Sequence, residues 1–461
     1  MSNFNLENIN YTIEDIYTMS FENQKISLSE KLIKSISNSR LLLENQVADK
    51  KIIYGVNTGF GKLSQIKIQS KDIHILQSNL IKSHAVGIGP NTPQIIVKIM
   101  ILLKIISFTK GNSGVRLEIV SALIELFNNN CIPIIPSKGS VGASGDLAPL
   151  AHLSLVLLGE GEVIFDNKKI ESQKALKLLG ISPIKLEYKE GLALINGTQF
   201  STAYGVYSLY KINQILKIAD FSAGMSVEAL MCSKKPFYLY VNKLKPYVGQ
   251  NNVSNNLLKI LENSQIMESH SNCNRVQDMY SIRCIPQVHG SSRDLIKFSI
   301  KQINTEINSV SDNPLIFINE NEIISAGHFH AESVAHALDI AAIAITSLSN
   351  ISERRIFSLL KGEYELPPFL IDNPGINSGF MMLQVTAASL VSENKLLSNP
   401  SSVDSIPTCS DQEDYVSMAP YSGRKLLKLL KNTQAIFAIE LLCGCQAIDF
   451  RKPLKPAKLL I

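Results

Sequence analysis

The sequence predicts a mainly α-helical protein with a smaller mixed region at its N-terminal end. Three observations carry that expectation. Apolar residues recur at helical spacing, as at Leu147, Leu150, Leu153 and Leu157, and again at Ile296, Ile300, Ile303 and Ile307. Such stretches dominate beyond residue 190, whereas β-like pieces are short and precede it. Hydrophobic residues make up 45% of the 461 positions, which suits a large packed core and excludes a disordered chain. A mixed N-terminal region is expected over residues 1–195 and a long antiparallel helical bundle over 196–461.

Residues 1–50 read as a short, polar helical lead-in. The run Ile52-Ile53-Tyr54-Gly55-Val56-Asn57-Thr58-Gly59-Phe60-Gly61 holds three glycines and an Asn. It cannot form a long helix, so a strand edge entering a loop is expected. Residues 71–84 and 93–109 read as amphipathic helices, separated by Ser83-His84-Ala85-Val86-Gly87-Ile88-Gly89. Residues 162–190 are polar, with two short β-like pieces. A helical stretch from Gly191 to about Met231 is interrupted near its start by Asn196-Gly197-Thr198. Helical patterning returns at Val288 and ends at Asp312-Asn313-Pro314, because the residue before proline avoids helical angles. Residues 331–361 predict another long helix. Residues 380–397 begin apolar on nearly every side, which predicts a place inside the bundle. A last helix is expected over 424–447, followed by an extended basic tail at 451–456.

Composition excludes several function classes. The net charge is only +5, and no basic patch with interleaved aromatics is present, so no nucleic-acid partner is expected. The opening Met-Ser-Asn-Phe-Asn-Leu-Glu-Asn lacks an apolar core for a signal peptide. The apolar runs at 147–158 and 338–348 are too short to predict a membrane span. The seven cysteines are odd in number and fit no zinc spacing, which predicts free thiols in a reducing cytoplasm.

The most informative stretch is Gly139-Ser-Val-Gly-Ala-Ser-Gly-Asp-Leu-Ala-Pro-Leu-Ala-His152. Asp146 suits a helix N-cap, and Pro149 falls in the first turn, where its missing N–H costs little. Ser144 is therefore expected in a tight loop at the positive end of a helix. The segment is not a nucleophile elbow, because Asp146 stands two residues after Ser144 where glycine is required. It is neither a dinucleotide nor a phosphate loop. Alone, Ala143-Ser144-Gly145 reads as a glycine-rich loop before a buried helix.

The whole segment, however, closely resembles the signature of the aromatic amino acid ammonia-lyases, above all the histidine-using branch. In that family the Ala-Ser-Gly triplet cyclises to 4-methylidene-imidazol-5-one (MIO), losing two waters. The resemblance runs from about residue 40 to 455, with the motifs in the family's order. It implies the aromatic amino acid lyase (fumarase-like) fold, a homotetramer whose active sites borrow residues from three chains, and no metal. His328, His330 and Glu332 are accordingly read as structural.

The resemblance also implies site roles, each beside a plainer reading. Tyr54, otherwise a half-buried core tyrosine, matches the base that removes the substrate β-proton. Its ordinary pKa is about 10, so helix N-termini and cations are expected to stabilise the phenolate. His84, otherwise a capping residue, matches the group that contacts a substrate imidazole. Asn196, otherwise a helix break, matches an active-site amide. In Gln277-Asp-Met-Tyr280-Ser-Ile-Arg283 the spacing by three would place three side chains on one helical face. By resemblance Arg283 grips the substrate carboxylate, Tyr280 assists amine transfer, and Gln277 bonds near the carboxylate. Asn313 matches an active-site amide and Phe329 an aromatic wall. Glu413, otherwise part of a charged surface turn, matches a glutamate that bonds the imidazole.

Met279, His328 and Tyr415 depart from the usual family residues. The chain also stops earlier than relatives usually do, so truncation or a different closure of the surface is expected. The implied reaction is deamination of L-histidine to trans-urocanate and ammonia in histidine degradation. The alternatives are a tyrosine or phenylalanine lyase or aminomutase on the same scaffold, and a degenerate, non-catalytic homologue.

Overall fold

The computed structural model describes residues 3–7 and 9–461. Long helices dominate: Gln199–Ala229, Ile285–Ile307, Glu332–Leu360 and Ala419–Asp449. Strands are short. Asn3–Leu6 pairs in parallel with Lys25–Leu28. Ile132–Pro133, Glu162–Phe165 and Lys168–Glu171 form a three-stranded antiparallel sheet.

The chain divides into two compact units, each built from three segments. The first comprises Met1–Tyr207, Ile300–Leu338 and Pro400–Arg424. The second comprises Ser208–Ser299, Asp339–Asn399 and Lys425–Ile461. Residues 196–198 separate helix Glu190–Ile195 from helix Gln199–Ala229.

In the first unit the lead-in is more than a polar helix. It holds the parallel strand pair and two helices, Ile13–Phe21 and Glu30–Ala48. Thr12 and Asp15 form a capping box, a start signal that the polar composition obscured. Residues 52–61 are mostly turns, and the strand edge shrinks to a single antiparallel bridge between Thr58 and Lys67. Side chains take the backbone partners a strand would need: Ile53 N donates to Asn57 Oδ1 at 2.8 Å, and Gly55 N to Thr58 Oγ1 at 3.0 Å. Helix Gln94–Thr109 is buried along almost its whole length, including Lys98 and Lys104. Helix Leu147–Leu157 buries Leu150, Leu153 and Leu157. Asp146 sits at its N-cap position but does not cap it. Its carboxylate instead accepts from Ser201 N at 2.8 Å and Ser201 Oγ at 2.7 Å, at the start of Gln199–Ala229.

The second unit has its own core, with Met225, Leu230, Phe237, Leu257, Ile282, Ile356, Leu359 and Ile436 among its buried residues. Arg355 and Glu440 lie within this unit, both without side-chain exposure. Helix Met381–Leu397 departs from expectation. It buries only Ala387 and Asn394, while Met381, Met382, Val385 and Leu396 are exposed. Leu383, Leu390 and Val391 pack partly buried on the same core, a single narrow seam, so apolar side chains elsewhere on the helix face outward. The basic tail is not extended either. Arg451 donates to Ala229 O at 2.9 Å, and Ala457 N to Glu228 Oε1 at 2.9 Å. Free carbonyls and a buried carboxylate thus draw this segment onto the unit.

Helix Glu332–Leu360 is long and apolar enough to cross a membrane by length and composition, with a mean hydropathy of 1.5, contrary to the sequence reading. However, 72% of that apolar window is buried inside the protein.

Candidate active site

A cavity of about 960 Å³ opens in the first unit. Tyr54, His84, Ala143, Ser144, Asn196, Asn313, Phe329 and Glu413 all line it. Gly145 lies next to this wall in the chain. Residues far apart in sequence thus meet through the loops that end helices Ile73–His84 and Glu190–Ile195 and precede Leu147–Leu157.

The backbone around the Ala143–Gly145 triplet is tightly held. Gly145 has φ +77°, and a Cβ there would lie 2.2 Å from Gly197 O, so only glycine fits. Asp146 N donates to the same carbonyl at 2.7 Å. On the other side Met418 N donates to Val141 O at 2.9 Å, and Ala143 packs against Val416 and Met418. Ser144 Oγ donates to Glu413 Oε1 at 3.0 Å. Glu413 is positioned by a tight loop: Thr408 N donates to its carbonyl at 2.8 Å, and Thr408 Oγ1 to its Oε2 at 2.7 Å. Cys409, Ser410 and Asp411 all take positive φ to close that loop.

Tyr54 Oη accepts from Gly61 N at 3.1 Å. Burial pushes its pKa above the ordinary value, and the Glu413 carboxylate adds to that. The opposing influence is the Gly61 N–H, which opens the short 3-10 helix Gly61–Leu63, rather than a cation. His84 Nδ1 donates to Leu80 O at 2.8 Å, since a carbonyl can only accept, which leaves Nε2 for a ligand. Asn196 Nδ2 donates to Asn313 O at 3.0 Å, while Asn196 Oδ1 is buried without a partner. Such an orphaned acceptor on a cavity wall suits a ligand that brings a donor. The Asn313 side chain is used locally, its Oδ1 accepting from Ala326 N at 2.8 Å.

Gln277, Tyr280 and Arg283 do not line this cavity and belong to the second unit. Only Tyr280 and Arg283 share a helical turn, Tyr280–Arg283, and Gln277 precedes it. The Arg283 guanidinium stacks 4.5 Å from the Tyr280 ring centre, and its buried Nε has no partner.

The cavity also holds residues to which the motifs assigned no site role. His330 and Tyr415 line it with their rings stacked 5.9 Å apart. Cys409 and Gln412 line it too. His328 does not. Lys104 was also missed, although a signal was present: it is a charge inside the otherwise apolar run 99–106. Among the described residues no group of three or more His, Cys, Asp or Glu is placed to hold a metal.

The profile of the aromatic amino acid lyase family matches residues 11–460. This chain belongs to the aromatic amino acid lyase family. As a lyase of this family it is 47% identical, over 432 residues, to a histidine ammonia-lyase of Vibrio cholerae, covering 93% of this chain and 84% of that one. Among solved structures, the lyase resembles a histidine ammonia-lyase of Trypanosoma cruzi, with a TM-score of 0.91 and 39% identity over 99% of this chain and 87% of the other. It also resembles a phenylalanine aminomutase of Pantoea agglomerans, with a TM-score of 0.94 and 32% identity over 99% and 92%. Lyases of this family generally use MIO.

Proposed function

We propose that this lyase deaminates L-histidine to trans-urocanate and ammonia, as a histidine ammonia-lyase. The observation that carries this reading is the shared cavity, where Ser144, Glu413, His84 and Tyr54 all reach one wall. Relatives at 43% to 47% identity that bear the name histidine ammonia-lyase support it.

The Ala143–Gly145 triplet fits MIO. Gly145 tolerates no side chain, Ala143 is small and buried, and Ser144 faces the cavity. MIO formed there would supply an electrophilic carbon toward the substrate amino group. The remaining work falls to ordinary side chains. Glu413 and His84 Nε2 select the imidazole. Phe329 packs against its ring, and Asn196 Oδ1 accepts a hydrogen bond from the substrate, with Asn313 holding the Asn196 amide. Tyr54 removes the β-proton, and Gly61 N–H stabilises its phenolate. Because burial raises the Tyr54 pKa, further stabilisation must come with assembly or substrate. In the homotetramer we propose, another copy of the chain supplies Arg283 for the carboxylate, with Tyr280 and Gln277 beside it. A cytoplasmic setting is consistent with seven free cysteines.

The test is direct. Purified protein is given histidine, tyrosine and phenylalanine separately, and urocanate, coumarate and cinnamate are followed by absorbance. Turnover confined to histidine supports the reading. Turnover of tyrosine or phenylalanine without histidine overturns it.

A further inference from the structure

Behind the active-site wall, helix Gln94–Thr109 buries a lysine that no step above uses. Lys104 has 1% exposure, and its Nζ donates to Asn196 O at 2.6 Å, with Gln199 Oε1 at 3.4 Å. Burial lowers its pKa to about 7, the nearby Asp312 and Asp146 opposing that. Ammonium and amine both donate N–H, so the bond to Asn196 O survives in either form.

The held peptide is the turn that presses on the cyclising triplet. Gly197 O receives Asp146 N at 2.7 Å and sits where a Gly145 Cβ would be. Ser311 supports the far side, its Oγ accepting from Gln199 Nε2 at 2.9 Å and its carbonyl lying 2.4 Å from where a Gly197 Cβ would be. Gly197 therefore cannot retreat, and Lys104 fixes the residue before it. A buried lysine is costly unless its donors are used. Here a main-chain carbonyl and a side-chain amide use them.

We infer that Lys104 is a positioning residue for formation of MIO: it locks the Asn196–Gly197 turn, and that turn holds Gly145 N against the Ala143 carbonyl. This rests on the reading of Ala143–Gly145 as an MIO precursor. In the step it serves, Gly145 N bonds to the Ala143 carbonyl carbon. That oxygen leaves as water with the hydrogens of Gly145 N and Ser144 N. Ser144 Oγ leaves as a second water with the Ser144 Cα hydrogen. No oxidant or reductant is needed.

The experiment uses the full chain and Lys104→Met, which keeps the apolar stem and removes the donor. Freshly folded protein is followed by intact mass, with circular dichroism to confirm folding and hydrogen exchange to read the Asp146 amide. The parent should become two waters lighter. Folded Lys104→Met should do so about tenfold or more slowly, and its Asp146 amide should exchange about tenfold or more faster. A folded variant that loses both waters at the parental rate overturns the inference. If the parent keeps its full mass, the precursor reading fails instead, and unchanged exchange at Asp146 would then overturn the role of Lys104 in the turn. Should Lys104→Met not fold, Lys104→Leu, which also lacks a donor, is measured by the same criteria.

Discussion

Replacing Glu413 by Gln alters charge at the cavity wall and little in shape. In the parent, Oε1 accepts from Ser144 Oγ at 3.0 Å and Oε2 from Thr408 Oγ1 at 2.7 Å. Gln keeps one acceptor oxygen, and the Thr408 hydroxyl can turn to accept from the new amide. The backbone pairing of residues 408 and 413 does not involve the side chain and persists. The cost to stability is therefore under about 1 kcal/mol. The cost to catalysis is larger if Glu413 holds the imidazole. A hydrogen bond to a charged group contributes about 1.5–3 kcal/mol against about 1 for a neutral one. The difference lowers kcat/KM for histidine about 2- to 30-fold in Glu413→Gln, and the full loss in Glu413→Ala lowers it about 10- to 150-fold. Steady-state urocanate formation gives the parameters, and intact mass verifies that MIO is retained. Parental kcat/KM on histidine in both variants, at unchanged mass, would refute the reasoning.

Tyr54→Phe should lower kcat about 10²- to 10⁴-fold while leaving the cyclised mass intact; a loss under threefold would remove Tyr54 from the role of base. Asp146 is buried, and burial raises its pKa from 3.8 to about 6. The folded state thus holds this proton more tightly than the unfolded chain. Its contribution is greatest below about pH 4 and is lost as pH rises through about 6, a change on the order of 3 kcal/mol. Urea titrations between pH 4 and 7 should show that slope in the parent and a flatter one in Asp146→Asn; equal slopes would contradict it. Glu440 accepts from Arg355 Nε at 2.5 Å and Nη2 at 3.0 Å, and from Ser222, Ser226 and Ser352. Glu440→Gln leaves a buried guanidinium uncompensated, costing about 3–5 kcal/mol and lowering Tm by roughly 3–5 °C in a chain of this length. Calorimetry showing a parental Tm would exclude this account of the second unit's core.

Much of this fold was legible because helical periodicity is strong where a helix buries one broad face. The stripe Ile296, Ile300, Ile303 and Ile307 belongs to helix Ile285–Ile307. Prediction failed where burial and composition part company. Helix Met381–Leu397 is apolar and yet largely uncovered, and sequence alone does not say what covers a face. Residues 52–61 satisfy their backbone through Asn57 and Thr58, a local contest that glycine content hints at but does not decide. Within the candidate site, the motif residues of the first unit gather at one cavity because each stands beside a turn or a helix end. Lys104 was passed over because its meaning lies in a contact made across 92 residues.

The bond from Ser144 to Glu413 spans 269 residues. The carbonyl of Val141 likewise waits for the amide of Met418. A growing chain therefore presents the triplet long before it presents half of the grip around it. On the reading proposed above, cyclisation awaits the Val416 and Met418 side of that grip, and a chain cut short before residue 416 should keep an unmodified serine.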